Sequence, residues 1–291
     1  MSDSRSFVDT TFDERGSIRR DIHAQPELGM HEVRTSALIR SELEKIGVDE
    51  IRQPLPTAVV ALIHGKKGPG KCVALRADID ALPVHEETGL PFASETEGIM
   101  HACGHDLHTT MLLGAAKTLC HMRDQFAGTV KLIFEPSEDL MPGGARALVA
   151  AGVMENPHVD AIFGQHVWGT LDIPYIDVTA GPRMAYSGRF TVDVIGTSSH
   201  AATPHLGADA ITGAAAIINN LQQYVSRMSN PLDPVVLTIG TISGGNRYNA
   251  IANHVTMEGV PRAYFLDKHA AALRTIAEHP AEGLGLQAVP K

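Results

Sequence analysis

The sequence predicts an α/β protein followed by a smaller α+β unit. Three observations predict it. Over residues 1–180, apolar runs of four to six residues alternate with longer stretches whose apolar positions recur at helical spacing. The side chains able to bind metal or move protons gather just after those short runs, where open α/β sheets bind their ligands. After Gly181 the order becomes strand, helix, two strands and helix, the pattern of a split βαβ (ferredoxin-like) unit. The expected domains are therefore residues 1–180 and 181–291, in keeping with the domain-size prior for 291 residues.

Each element follows from its pattern. Residues 31–46 form a helix, with Val33, Ala37, Leu38, Leu43 and Ile46 on one side and Gly47 as its stop. Ala58–Ile63 and Cys72–Leu75 read as strands, and Leu107–His121 as a helix burying Met111, Leu112, Ala115 and Leu119. Val130–Phe134 is a strand, Ala145–Ala151 a short helix and Ala161–Gly164 a strand, giving a sheet covered on both faces. In the second unit Ser187–Ile195 alternates as a strand. Asp209–Met228 is a helix with Ile211, Ala215, Ile218, Leu221 and Val225 buried. Val235–Ile239 and Val255–Tyr264 are strands, and Lys268–Glu278 is a helix.

Composition narrows the function. A net charge of −9 argues against a nucleic-acid partner. No run is long enough to span a bilayer, and the polar stretch Met1–Glu14 has no apolar signal core, so no membrane partner is expected. Three cysteines without a framework spacing predict reduced thiols and a cytoplasmic location.

The run Met100–His108 holds one thiol, three imidazoles and a carboxylate. Thiolate, neutral imidazole and carboxylate are the donors that borderline divalent metals accept, and Gly104 lets a sharp turn aim Cys103 and His105 at one point. On spacing alone the pair fits a buried thiol and a capping imidazole equally well. Recurrence decides for a metal. Asp78 and Asp80 follow one strand, Glu138 and Asp139 another, and His166 a third. In an extended segment Glu138 and Asp139 point opposite ways, so one carboxylate can face a metal while the other takes a proton from water. Asp78 and Asp80 share a side and suit either the capping of the following turn or, equally, the support of a ligating imidazole. His101 and His108 read as structural or supporting. Gly143-Gly144 lacks the Lys-Ser/Thr of a phosphate loop.

Several segments then carry a resemblance: Pro26-Glu27-Leu28-Gly29, Leu75–Pro83, Met100–His105, Phe134–Asp139, Gly164–Val167, Ser198–His205 and the Asn249 region. Together they resemble the hippurate hydrolase and indole-acetyl-amino-acid hydrolase branch of the aminoacylase and carboxypeptidase metallopeptidases, continuously from about Asp21 to Tyr264. The resemblance implies a zinc-peptidase-like α/β catalytic domain with an inserted lid, and a two-metal amidohydrolase that cleaves an N-acyl amino acid to a carboxylic acid and a free amino acid. It implies Cys103, His105, Asp139 and His166 as metal ligands, with Asp78 and Asp80 behind them. Glu138 would be the general base, His200 would hold the scissile carbonyl oxygen and Asn249 would bind substrate. The metal would be Zn²⁺ or Mn²⁺, with Co²⁺ also suited, up to two per chain, in a homodimer formed through the lid. Where the family usually has Glu, Gln and an Asn-Val-Ile-Pro run, this chain has Asp139, Glu135 and Asn249-Ala250-Ile251-Ala252. The family chain also continues past the lid to a final metal-binding His, whereas this one stops at Lys291. The resemblance therefore also admits an impaired relative acting as a metal- or ligand-binding module. A third reading makes Cys103 a nucleophile with His105 as its base.

Overall fold

Alternate residues of the central strands enter two different cores, and this fixes the first sheet between two layers. Val59, Ala61, Ile63, Leu132 and Phe134 pack with Ile39, Leu43, Leu112, Leu113 and Ala116 of the flanking helices. Ala58, Val60, Ala74 and Ile133 pack on the other side with Leu148, Val153 and Val159. The computed structural model describes residues 2–140 and 142–291. The chain divides into two compact units, Met1–Tyr175 and Ile176–Lys291.

In chain order the first unit contains α1 (Ser2–Thr10), α2 (Phe12–Ala24), α3 (Val33–Ile46), β1 (Glu50–Arg52), β2 (Val59–His64), β3 (Cys72–Asp78), α4 (His105–His121), β4 (Thr129–Glu135), α5 (Gly144–Ala150) and β5 (Ala161–Gly164). The sheet order is β1-β2-β4-β3-β5. β3 runs parallel to β4 and β5, while β2 is antiparallel to β4 and β1 to β2. The register pairs Asp78 with Glu135 and Arg76 with Gly164. Three parallel strands thus end together, and the segments leaving them start from one rim.

β3 and β5 differ from the sequence expectation. β3 extends to Asp78 instead of ending at Leu75, because Arg76 stays in the ladder and pairs with acids at the strand ends. β5 is not covered on both faces. Among the described residues it pairs only with β3, and Phe163 is 59% exposed.

The second unit contains β6 (Tyr186–Ser187), β7 (Phe190–Ile195), α6 (Ala210–Gln223), β8 (Val235–Gly244), β9 (His254–Ala263), α7 (Leu266–Gly283) and β10 (Gln287–Pro290). The antiparallel order is β10-β7-β9, with β8 and β6 also paired to β9. This is the split βαβ arrangement, completed by β10. Asp209 caps α6 by accepting from the Ile211 and Thr212 N–H groups. The expected helix to Met228 changes at Tyr224 into one π-turn. Val192, Val194, Ile217, Leu221 and Met257 form the core under the two helices. Among the described residues, no helix is long and apolar enough to cross a membrane.

Candidate metal centre

Gly104 makes the turn that the sequence requires. Its φ of +83° is left-handed, and it caps α4, which begins at His105 instead of near Leu107. This aims Cys103 and His105 together. His105 is fully buried. Its Nδ1–H donates to the Asp80 carbonyl at 2.9 Å and to Asp80 Oδ1 at 3.2 Å. That network assigns the tautomer and leaves Nε2 as a lone pair with no hydrogen-bond partner among the described residues. The lone pair faces Asp78 Oδ1 at 3.6 Å, Glu138 Oε2 at 3.9 Å and Asp139 Oδ2 at 4.0 Å.

His166 is arranged in the same way. Its Nδ1–H donates to the Val167 carbonyl at 2.5 Å, and Nε2 lies 3.4 Å from Cys103 Sγ. One donor atom each from Cys103, His105 and His166 lies within 4.8 Å of the others, and the same holds for Asp80, His105 and Asp139. Two imidazole lone pairs, a thiol sulfur and carboxylates therefore converge on one place. This donor set fits a divalent cation, and the buried Nε2 facing carboxylate oxygens calls for positive charge between them.

The surrounding groups hold these donors. Asp80 Oδ2 accepts from the Asp139 N–H at 3.1 Å, so one carboxylate ties the His105 ring to the acid pair. His108 Nδ1–H donates to Asp78 Oδ1 at 2.5 Å, and its Nε2 accepts from the Val167 N–H at 2.9 Å. Both of its nitrogens are used, so it is a brace for the His166 segment. A third cluster with ligand spacing, Asp78 with His105 and His108, includes this hydrogen-bonded pair.

Electrostatics agree with a cation site. Burial would raise Asp78, but the His108 hydrogen bond and the His105, Arg76 and His108 charges hold it down at about 2. Burial would lower His105, yet the Asp80 hydrogen bond and the surrounding carboxylates raise it. The cluster thus favours positive charge at that ring. Burial, with Asp139 and Glu138 adding to it, pushes the Cys103 thiol up to about 11. Such a thiol is a poor nucleophile unaided, which counts against the cysteine-nucleophile reading. Burial, then Asp139, raises Glu138, which suits a carboxyl that takes and returns a proton.

The acid pair is not extended as expected. Ser137 adopts φ +55°, and the bend brings both Glu138 and Asp139 toward His105 Nε2. In the second unit His200 and Asn249 are neighbours: His200 bridges Ala250, the Ala201 N–H donates to the Asn249 carbonyl at 3.1 Å, and both residues are exposed.

Residues 74–283 match the model of Peptidase family M20/M25/M40. The chain belongs to this family. It is 42% identical over 246 residues to an N-acyl-L-amino acid amidohydrolase of Geobacillus stearothermophilus, covering 84% of this chain and 66% of that one. It is 46% identical over 255 residues to the IAA-amino acid hydrolase ILR1-like 4 of Arabidopsis thaliana, covering 87% and 56%. The chain thus spans less than two thirds of either relative's length. The Bacillus subtilis YXEP protein, described as a dinuclear metal binding peptidase from the M20 family, superposes with a TM-score of 0.81 at 38% identity, covering 97% of this chain and 74% of that one.

Sequence reasoning missed two supports of this M20 site. Arg76 donates to Asp78 Oδ2 and Glu135 Oε2, both at 2.6 Å, and so neutralises part of the acid cluster. An arginine beside acids at the end of an apolar run was the available signal. Glu32, fully buried, accepts from the Ser137 N–H at 2.8 Å and holds the bend before the acid pair. Only the three-dimensional contact reveals it, since 105 residues separate the partners.

Proposed function

We propose that this chain is a metal-dependent amidohydrolase acting on N-acyl amino acids, of the hippurate and indole-acetyl-amino-acid hydrolase branch. The observation that carries the reading is the buried His105 Nε2, unpartnered and facing three carboxylates beside Cys103 and His166. The relatives' names supply the substrate class. Cys103, His105, Asp139 and His166 would hold up to two divalent ions, Zn²⁺ or Mn²⁺ by donor type, with Co²⁺ also accommodated. When bound, the metal supplies a Lewis acid for the scissile carbonyl and for water. Glu138 accepts the proton of the attacking water and returns it to the leaving amine nitrogen. Asp80 keeps the His105 ring in its tautomer, and Asp78 with His108 steadies the His166 segment. We assign His200 to the scissile carbonyl oxygen and Asn249 to substrate binding, the second unit to homodimerisation as the lid of a catalytic domain, and the chain to a reducing, cytoplasmic compartment.

The test is Glu138→Gln, assayed with acetyl-, benzoyl- and indoleacetyl-amino acids in parallel with metal content. Loss of a general base predicts a fall in kcat of about 10²–10⁴-fold with metal retained. A variant that turns over at the parent rate overturns the assignment.

A further inference from the structure

Beneath α7 the second unit contains a groove of about 250 Å³ that the proposed hydrolysis does not use. Its apolar wall includes Phe190, Leu273 and Ala277, and its charged lining is Arg189, Arg274 and Lys291, with no acidic residue. Three cationic side chains and no acidic one lining an apolar space stand out in a chain of net charge −9. Two of the cations are already compensated. Arg189 pairs with Glu258 at 2.7 Å and Lys291 with Asp193 at 3.0 Å. Arg274 donates only to the Pro290 carbonyl at 3.1 Å and has no carboxylate partner among the described residues. A guanidinium has five N–H donors in a fork that matches a carboxylate, so most of its capacity remains.

Size sets the other half of the ligand. An apolar cavity of about 150 Å³ holds benzene, and sites for drug-sized molecules begin near about 300 Å³. This groove therefore has room for a single aryl ring or a short alkyl chain. We propose that it binds a small apolar monocarboxylate, with the tail under α7 against Phe190, Leu273 and Ala277 and the carboxylate on Arg274. One uncompensated cation suits one negative charge, which favours a carboxylate over a phosphate ester.

The probe is octanoate, titrated calorimetrically into the full chain with a chelator present, so that carboxylate binding to metal does not contribute. The parent should bind one octanoate saturably at millimolar or lower concentration and should bind octylammonium at least tenfold more weakly. Arg274 is exposed, so Arg274→Glu leaves the core intact; it should weaken octanoate at least tenfold and improve octylammonium. Ala277→Phe, which fills the groove, should abolish both. Absence of saturable octanoate binding to the parent overturns the proposal. So does undiminished binding to Arg274→Glu, or equal affinity of the parent for both probes. These outcomes leave the metal-centre reading untouched, because no metal ligand is involved.

Discussion

Substituting Gly104 with Ala tests whether the turn before α4 builds the centre. The residue has φ +83°, where a side chain costs about 1–2 kcal/mol. The new Cβ would also lie 2.4 Å from Val167 Cγ2. Val167 follows His166 directly, and its N–H is held by His108, so relieving the clash displaces a candidate ligand. Overpacking of this kind adds about 1–3 kcal/mol, giving about 2–5 kcal/mol in all. Val167→Ala removes the obstructing methyl but not the backbone strain. In that background Gly104→Ala should cost only about 1–2 kcal/mol, so the double-mutant cycle should show a coupling of about 1–3 kcal/mol. Urea unfolding with chelator, followed by the emission of Trp168, the chain's one tryptophan, reads the first unit selectively. A cost below about 0.5 kcal/mol, or an equal cost in both backgrounds, refutes the reasoning.

Asp80→Ala removes the carboxylate between the His105 ring and the Asp139 N–H but keeps the Asp80 carbonyl as acceptor for Nδ1; metal affinity should fall about 10–100-fold in a chelator competition, toward the lower end because the tautomer survives. For His23, the hydrogen bond to Asp106 raises the folded-state pKa against the opposing effect of burial. A raised pKa contributes stability that is complete below the unfolded value of about 6.5 and is lost as pH rises through the folded value. The urea midpoint of the parent should therefore exceed that of His23→Gln by more at pH about 6 than at pH about 8.5, and a gap that widens with pH contradicts the ion pair with Asp106.

Much of the fold was legible because the signals are local. The apolar run Val130–Phe134 became β4 with one residue added at each end, and Gly47 ended α3 in a left-handed cap as its position implied. Boundaries slipped where charge sits inside an element. Arg76 made β3 look finished at Leu75, although its pairing with Asp78 and Glu135 keeps it in the strand. β10, four residues beginning with Gln287, has too little apolar periodicity to register and exists through pairing with β7. In the candidate site, the residue types and the Gly104 turn were readable. The bend at Ser137 was not, because it depends on the distant Glu32. Nor were the roles of His101 and His108 separable. His108 braces Asp78 and Val167, whereas the buried His101 ring has no hydrogen-bond partner among the described residues and burial lowers its pKa to about 4.

The central claim is that Cys103, His105, Asp139 and His166 hold a metal ion. The direct measurement is a Co²⁺ titration of the metal-free chain, following thiolate-to-cobalt absorption together with Trp168 emission, whose ring centroid lies 6.0 Å from that of His166. The account predicts saturation at one or more ions per chain, a thiolate band that disappears in Cys103→Ala but persists in Cys72→Ala and Cys120→Ala, and parallel quenching of Trp168. A chain that retains no cobalt, or a band that survives the loss of Cys103, would contradict it.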